Sequence, residues 1–409
     1  MTLYLNNRSK KKILFVLDSP YPPVTGLNRT LINRAELLRD HLNDVEIHIV
    51  SRGIKYLTVK YDGFIVHRIG FGKKMGIERF DSIWERAKYT FKSLVYMAVT
   101  FKDIDLVVSM HFTANFISFL FHIVSRKKYV CEMVDFAFDA HKALGRGRGV
   151  LYRIPSKLLE YVECKAIPML AERVIAVSEF MKRILVETYG IDKQKILVMG
   201  EGIDPRVLRW AKIKNTKKLT ELKQKYALNK KTVIMTTGFF DRFDRVDTLI
   251  KAFKELKIRH SDLKLVVAGD GDEHFRALMD KANDNDVIVT GWQKRRRDAY
   301  HILHLADICV IPMEKRLGTD AIYSSKLYDY IAYKKPVVAL NLETIGEVVE
   351  KYGIGRVARN ANPSELANAI EDVLRNIDDF SSTKFNSLIS KFTFESISNG
   401  YPKLIEKLL

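Results

Sequence analysis

Residues 319 to 340 read TDAIYSSKLYDYIAYKKPVVAL. Leu327, Tyr330 and Ile331 recur at the i, i+3, i+4 spacing of a helix with one apolar face, and Pro336 opens the apolar run VVAL, the pattern of a short buried strand. A helix that delivers the chain straight into such a strand is the repeating unit of a parallel α/β sheet. Its first turn is oddly polar. Asp320, Ser324, Ser325, Lys326 and Asp329 gather where core packing asks for none of them, so the turn reads as placed to meet a ligand.

The same alternation runs along the chain in both directions. KILFVLD, VEIHIVS, DLVVS, KYVCEMV, RVIAVS and KILVMG read as strands in the first half, and TVIMTTG, LKLVVAG, VIVTG, DICVIPM and PVVAL in the second, with amphipathic helical stretches between them. At 409 residues the chain suits two domains. The expected division is 1–205 for one Rossmann-like domain and 206–390 for another, with 391–409 a C-terminal helix packing back on the first. The polar, lysine-rich stretch 201–231 reads as the hinge. Two doubly wound α/β domains would hold a ligand at the carboxyl ends of their strands, in a cleft between them.

Composition narrows the class. Hydrophobic residues make 47% and charged residues 29%, which suits a globular chain. Cys131, Cys164 and Cys309 lie far apart in apolar surroundings, so neither a disulfide framework nor a metal pattern is expected, and a reducing, cytoplasmic setting follows. MTLYLNNRSKKK has no apolar core of a signal peptide, and FTANFISFLFHIV is too short to span a bilayer. The net charge of +19 calls for a polyanionic partner, either an anionic membrane or a nucleic acid. Residues 1–200 hold 32 Lys and Arg against 20 Asp and Glu, so the first half is the more basic. There, GKKMGIERFDSIWERAKYTFKSLVYMAVTFK (72–102) interleaves Lys73, Lys74, Arg79 and Lys88 with aromatics, as a helix lying on an anionic bilayer would. The other reading is a core helix with a solvated basic face. No RRM, KH or zinc signature supports the nucleic acid.

Eight pieces of the chain stand in one order: SPYPPVTGLNRTLINRAELLRDHL, ERVIAVSEFMKRIL, ILVMGEGID, GFFDRFDRVDTLIKAF, VVAGDGDEHFRAL, VIVTGWQ, ADICVIPM and SSKLYDYIAYKKPVVAL. Together they resemble GT-B glycosyltransferases, especially the retaining family 4 enzymes. The resemblance implies a transferase that moves a sugar from a nucleoside-diphosphate sugar to a glycan or lipid-linked acceptor, as in surface polysaccharide, glycolipid or glycoprotein glycan assembly. It implies no covalent nucleophile; the basic first half, with an acceptor anchored to lipid, implies a peripheral place on the inner face of the cell membrane, and no metal is strictly required.

The polar first turn then becomes a diphosphate site, because a helix N-terminus presents free N–H groups and a positive dipole end to Ser324, Ser325 and Lys326. Asp329 stands where the family has a glutamate for the ribose hydroxyls. Eight residues earlier the family has a second glutamate, where this chain has Ala321; Asp320, one step away, is the expected substitute. The competing reading makes Ser325 a helix cap and Asp329 a complement to the dipole. Around Gly238, relatives carry a basic residue and a lysine at the positions of Phe239 and Asp244, so Arg242 or Arg245 is expected to grip the phosphates instead. Gly271, a candidate donor-binding residue with Gly26 and Gly238, belongs to the turn after a strand, where Asp270 and Asp272 tempt a metal reading that the strand-to-helix context disfavours. Trp292 either stacks on the base or packs into the core. In the first half Gly26 permits close approach to a ligand. His111, Glu132 and Asp135 stand at strand carboxyl ends, with His111 and Asp135, together with Asp320, the candidate catalytic groups and Glu132 and Asp135 the candidate acceptor ligands. A sugar-nucleotide epimerase or inactive sugar-binding subunit of the same fold is the alternative, since Ala321, Phe239 and Asp244 replace expected ligands.

Overall fold

In the computed structural model, which describes residues 10–22, 28–70, 83–144, 150–282, 284–380 and 382–409, the apolar runs become strands of two separate sheets. The chain divides into a first unit, Met1–Gly200 with Ser398–Leu409, and a second, Glu201–Ile397. Each has its own core.

The first sheet contains β1 (Lys11–Pro20), β2 (Val45–Gly53), β3 (Leu57–Tyr61), β4 (Phe64–Gly70), β5 (Leu106–Met110), β6 (Lys128–Met133), β7 (Arg173–Ala176) and β8 (Ile196–Val198). They lie in the order β3-β4-β2-β1-β5-β6-β7-β8. All pairings are parallel except β3 with β4. Ile13 to Leu17 in β1 are fully buried, as a central strand covered on both faces requires. Helices α1 (Arg29–His41), α2 (Ile83–Thr100), α3 (Phe112–Ser125) and α4 (Ala137–Leu144) belong to this unit. The strand order reverses between β1 and β5, and their carboxyl ends are where ligands of such sheets bind.

The second sheet, β11-β10-β9-β12-β13-β14, is parallel throughout. Its strands are β9 (Thr232–Phe240), β10 (Leu263–Gly271), β11 (Val287–Val289), β12 (Ile308–Ile311), β13 (Val337–Leu340) and β14 (Gly355–Ala358). Its order reverses between β9 and β12.

Three features depart from the sequence reading. The β3–β4 hairpin was not expected, although Asp62-Gly63 at its turn takes φ values of 54° and 81°, the two left-handed residues a two-residue hairpin loop needs. The four-residue edge strand β14 was also not expected. Residues 201–231, read as the hinge, belong to the second unit and hold helices Pro205–Lys212 and Thr216–Lys225, which bury Val207 and Leu222 in its core. Their lysines are the solvated faces of amphipathic helices.

Candidate active site

Gly238, near the end of β9, has φ 131°, a region that favours glycine. Gly269 is its neighbour in β10, and a Cβ there would stand 1.8 Å from the Gly238 carbonyl oxygen. The backbones therefore meet without side chains. Lys326 lines the open side of Gly238, its Cε 3.2 Å from the place a Gly238 Cβ would take. Its ammonium donates to Asp244 Oδ1 at 2.6 Å and lies 5.3 Å from the centre of the Phe240 ring. Both partners of this ion pair are largely buried.

Lys326 is held there by the helix Ser325–Ala332. Ser324 is the cap: its hydroxyl accepts from the Lys326 N–H at 3.4 Å, while Ser325 is the exposed first helical residue. The capping role expected of Ser325 thus falls one residue earlier. Asp329, one turn on, accepts at Oδ2 from the Tyr300 hydroxyl at 2.9 Å. Arg296 donates to the same hydroxyl at 3.1 Å and to Asp204 at 3.0 Å. Burial pushes the Asp329 carboxyl up to about 7, against the opposing pull of the Arg296 charge and the Tyr300 hydrogen bond.

Several expected ligands have other work. Asp320 is buried and accepts at Oδ1 from the Glu343 N–H at 2.8 Å, which caps helix Glu343–Lys351. Gly271 answers to sheet packing, since a Cβ there would lie 2.3 Å from the Phe240 carbonyl oxygen. Arg245 donates to Asp247 at 3.2 Å, whereas Arg242 is exposed. Asp270 pairs with Arg276, and Asp272 accepts from the Phe275 N–H at 2.9 Å. Trp292 is half exposed after β11, which removes the core reading and leaves its ring accessible.

In the first unit, His111 joins β5 to α3 with φ 67° and ψ 155°, an uncommon conformation for a residue with a Cβ. Asn115 holds this corner, accepting from Ser109 Oγ at 2.8 Å and donating to the Glu132 carbonyl oxygen at 2.9 Å. A small recess is lined by His111, Asn115, Asp135 and Glu163, with Asp135 exposed. Gly26 lies outside the described residues.

Glu132 is not available to an acceptor. It is fully buried, ion-paired with Arg34 and hydrogen-bonded by the Tyr401 hydroxyl at 3.2 Å. Arg34 also donates to the carbonyl oxygens of Met199 and Gly200 and lies 5.3 Å from the Tyr401 ring centre. This is an interior network that ties the helix Tyr401–Leu408 into the first unit.

Three residues of these sites escaped the sequence reading. Glu163, on a single π-helical turn, accepts from the N–H groups of Ala137 and Phe138 at 2.8 Å each and so caps α4. Burial, with the Asp135 charge adding to it, pushes its carboxyl up to about 8. Tyr300 and Arg296 sit in RRRDAYHIL, whose arginine run is its only signal.

Residues 24–207 match the family described as Glycosyltransferase Family 4, and residues 230–376 match Glycosyl transferases group 1. The putative teichuronic acid biosynthesis glycosyltransferase TuaH of Bacillus subtilis is 27% identical over 128 residues, 30% of this chain and 31% of that protein. The alpha-D-kanosaminyltransferase of Streptomyces kanamyceticus is 24% identical over 163 residues, 38% of this chain and 39% of that protein. The chain thus spans between about a third and two fifths of the length of the curated relatives it matches. Anabaena Alr3699/HepE in complex with UDP and glucose superposes with a TM-score of 0.72 at 16% identity, over 97% of this chain and all of that one. With one family match lying almost wholly in each unit and the fold shared end to end, the chain is a family 4-like glycosyltransferase of GT-B fold.

Proposed function

We propose that the chain transfers a sugar from a nucleoside-diphosphate sugar to a glycan or lipid-linked acceptor, with retention, in assembly of a surface polysaccharide, glycolipid or glycoprotein glycan. One observation carries this reading: the Lys326 ammonium packed against Gly238 at the carboxyl end of β9, beside the first turn of helix Ser325–Ala332 and at the second sheet's point of reversal. When the anomeric C–O bond breaks, its electron pair moves onto the diphosphate, and a preorganised ammonium and helix N-terminus meet that charge without a metal. Asp329 accepts from the ribose, and the first unit receives the acceptor near His111 and Asp135. Support for the ligand class comes from HepE, which holds UDP and glucose, and for the pathway class from TuaH, whose name places it in teichuronic acid biosynthesis. The enzyme works on the cytoplasmic side, bound peripherally to an anionic membrane. Among the described residues no helix is long and apolar enough to cross one.

Thermal melting of the purified protein against a panel of UDP-, GDP- and other sugar nucleotides, followed by acceptor-free donor hydrolysis, tests the reading. One sugar nucleotide should raise the melting temperature and be hydrolysed slowly. The second reading, a non-transferring relative, draws on the Asp244 carboxylate already paired with Lys326. Absence of any stabilisation, or binding without hydrolysis or transfer, would favour it.

Asp329 gives the site a pH dependence. With its carboxyl at about 7, the form that accepts ribose hydroxyls grows as pH rises, so donor affinity should climb about tenfold between pH 6 and 8. Stability runs the other way. The folded value exceeds the unfolded one near 3.9, so this group's contribution is complete below about pH 4 and is lost as pH rises through about 7. Titration calorimetry and melting of Asp329→Asn, which should flatten both profiles, check the assignment.

A further inference from the structure

Helix α2 is apolar on two faces. Tyr89, Ser93 and Met97, each fully buried at a spacing of four, turn inward, and the Tyr89 hydroxyl donates to the Leu17 carbonyl oxygen of β1 at 2.6 Å. The opposite stripe follows the same spacing: Trp84 is 80% exposed, Phe91 69% and Val99 70%, with Val95 and Lys88 also exposed between them. A surface helix of a globular unit needs only the first face. The second continues onto the approach to β3, where exposed Tyr56 has the Lys92 ammonium 5.4 Å from its ring centre and the Tyr96 ring 6.4 Å from it. Exposed Lys55, Lys60 and Lys88 punctuate this surface.

We infer that the outer face of α2 and the adjoining β3 segment are where this protein lies on an anionic lipid bilayer, with Trp84, Phe91, Val95 and Val99 entering the headgroup boundary and the lysines meeting lipid charge. The inference deepens the membrane part of the proposed function by naming the surface. Charge decides between occupants. A second copy seated face to face would set these lysines against their own images, whereas an anionic bilayer complements them and accepts the aromatic and aliphatic stripe at the same time. Residues 1–200 as a whole, these lysines included, carry a surplus of 12 positive charges, which favours the same partner.

The test uses the full chain and needs neither donor nor acceptor. The protein has three tryptophans, so Trp210→Phe with Trp292→Phe leaves Trp84 as the sole reporter for the emission readings; vesicle co-sedimentation, melting and sugar-nucleotide stabilisation are read on the chain that keeps Trp210 and Trp292, since Trp210 packs on Arg296 and Tyr300 beside Asp329. The Trp84 emission should shift to the blue with phosphatidylglycerol–phosphatidylcholine vesicles and be quenched by brominated chains. Pure phosphatidylcholine should give little change, and salt should weaken binding. Neutralising Lys55, Lys60, Lys88 and Lys92 to Gln should lower partitioning about fivefold per charge, and Trp84→Ser with Phe91→Ser should abolish it while melting and sugar-nucleotide stabilisation stay unchanged. Trp84 emission that ignores anionic vesicles, or partitioning that survives both sets of substitutions, overturns the inference. So does a concentration-dependent dimer that both sets dissolve in the absence of vesicle binding. Vesicle binding in a protein that no sugar nucleotide stabilises would leave this surface standing and remove the donor site instead.

Discussion

Arg34→Met should destabilise the first unit by about 3–5 kcal/mol, the cost of leaving one member of a buried ion pair without its partner. Glu132 is fully buried, so the uncompensated charge has no route to water, and the carbonyl oxygens of Met199 and Gly200 lose their donor in the same substitution. Glu132→Gln should cost less, because a neutral amide still accepts from the Tyr401 hydroxyl. Replacing both residues by apolar ones of similar volume should recover much of the loss. Amide exchange in β1, β5 and β6 reads the effect without interference from the second unit. If Glu132 were an acceptor ligand, Glu132→Gln would change the acceptor KM with normal protection factors; the buried network predicts the reverse.

The second large effect falls on Lys326. Lys326→Met removes the ammonium at Gly238 and should weaken nucleoside-diphosphate binding by roughly 2–3 kcal/mol, the loss of a charge-assisted contact. Binding of the bare nucleoside should be nearly untouched. Asp244→Asn should act oppositely and tighten the diphosphate, since the carboxylate holding Lys326 at 2.6 Å would otherwise repel it. Calorimetry with nucleoside, monophosphate and diphosphate separates the terms. Equal losses for all three ligands would take Lys326 out of the phosphate site.

Much of the fold is legible because parallel strands buried on both faces leave continuous apolar runs, and such runs stand out in both halves of the chain. What escaped was short or polar: LTVKY is an exposed edge strand, FIVHRIG breaks its apolar run with His67 and Arg68, and GRVA is only four residues long. The linker 201–231 misled because solvated helices and loops have the same composition. At the site, the helix terminus with Ser324 and Lys326 could be placed from spacing alone. Its partners could not. Asp244 is 82 residues from Lys326, and Tyr300 29 from Asp329, separations over which only tertiary structure decides who meets whom. Glu132 shows a further limit: lying near a strand's carboxyl end gives the end of the sheet, but not which face a side chain takes.

The helix Tyr401–Leu408 completes a unit whose main body ends at Gly200. Made on a ribosome, the first unit therefore waits for the second to emerge before Tyr401 can reach Arg34 and Glu132. Until then that ion pair is one contact short. The order of synthesis and the order of completion are reversed. A fragment ending near residue 200 should accumulate poorly, while 201–397, continuous in sequence, is the piece to express alone.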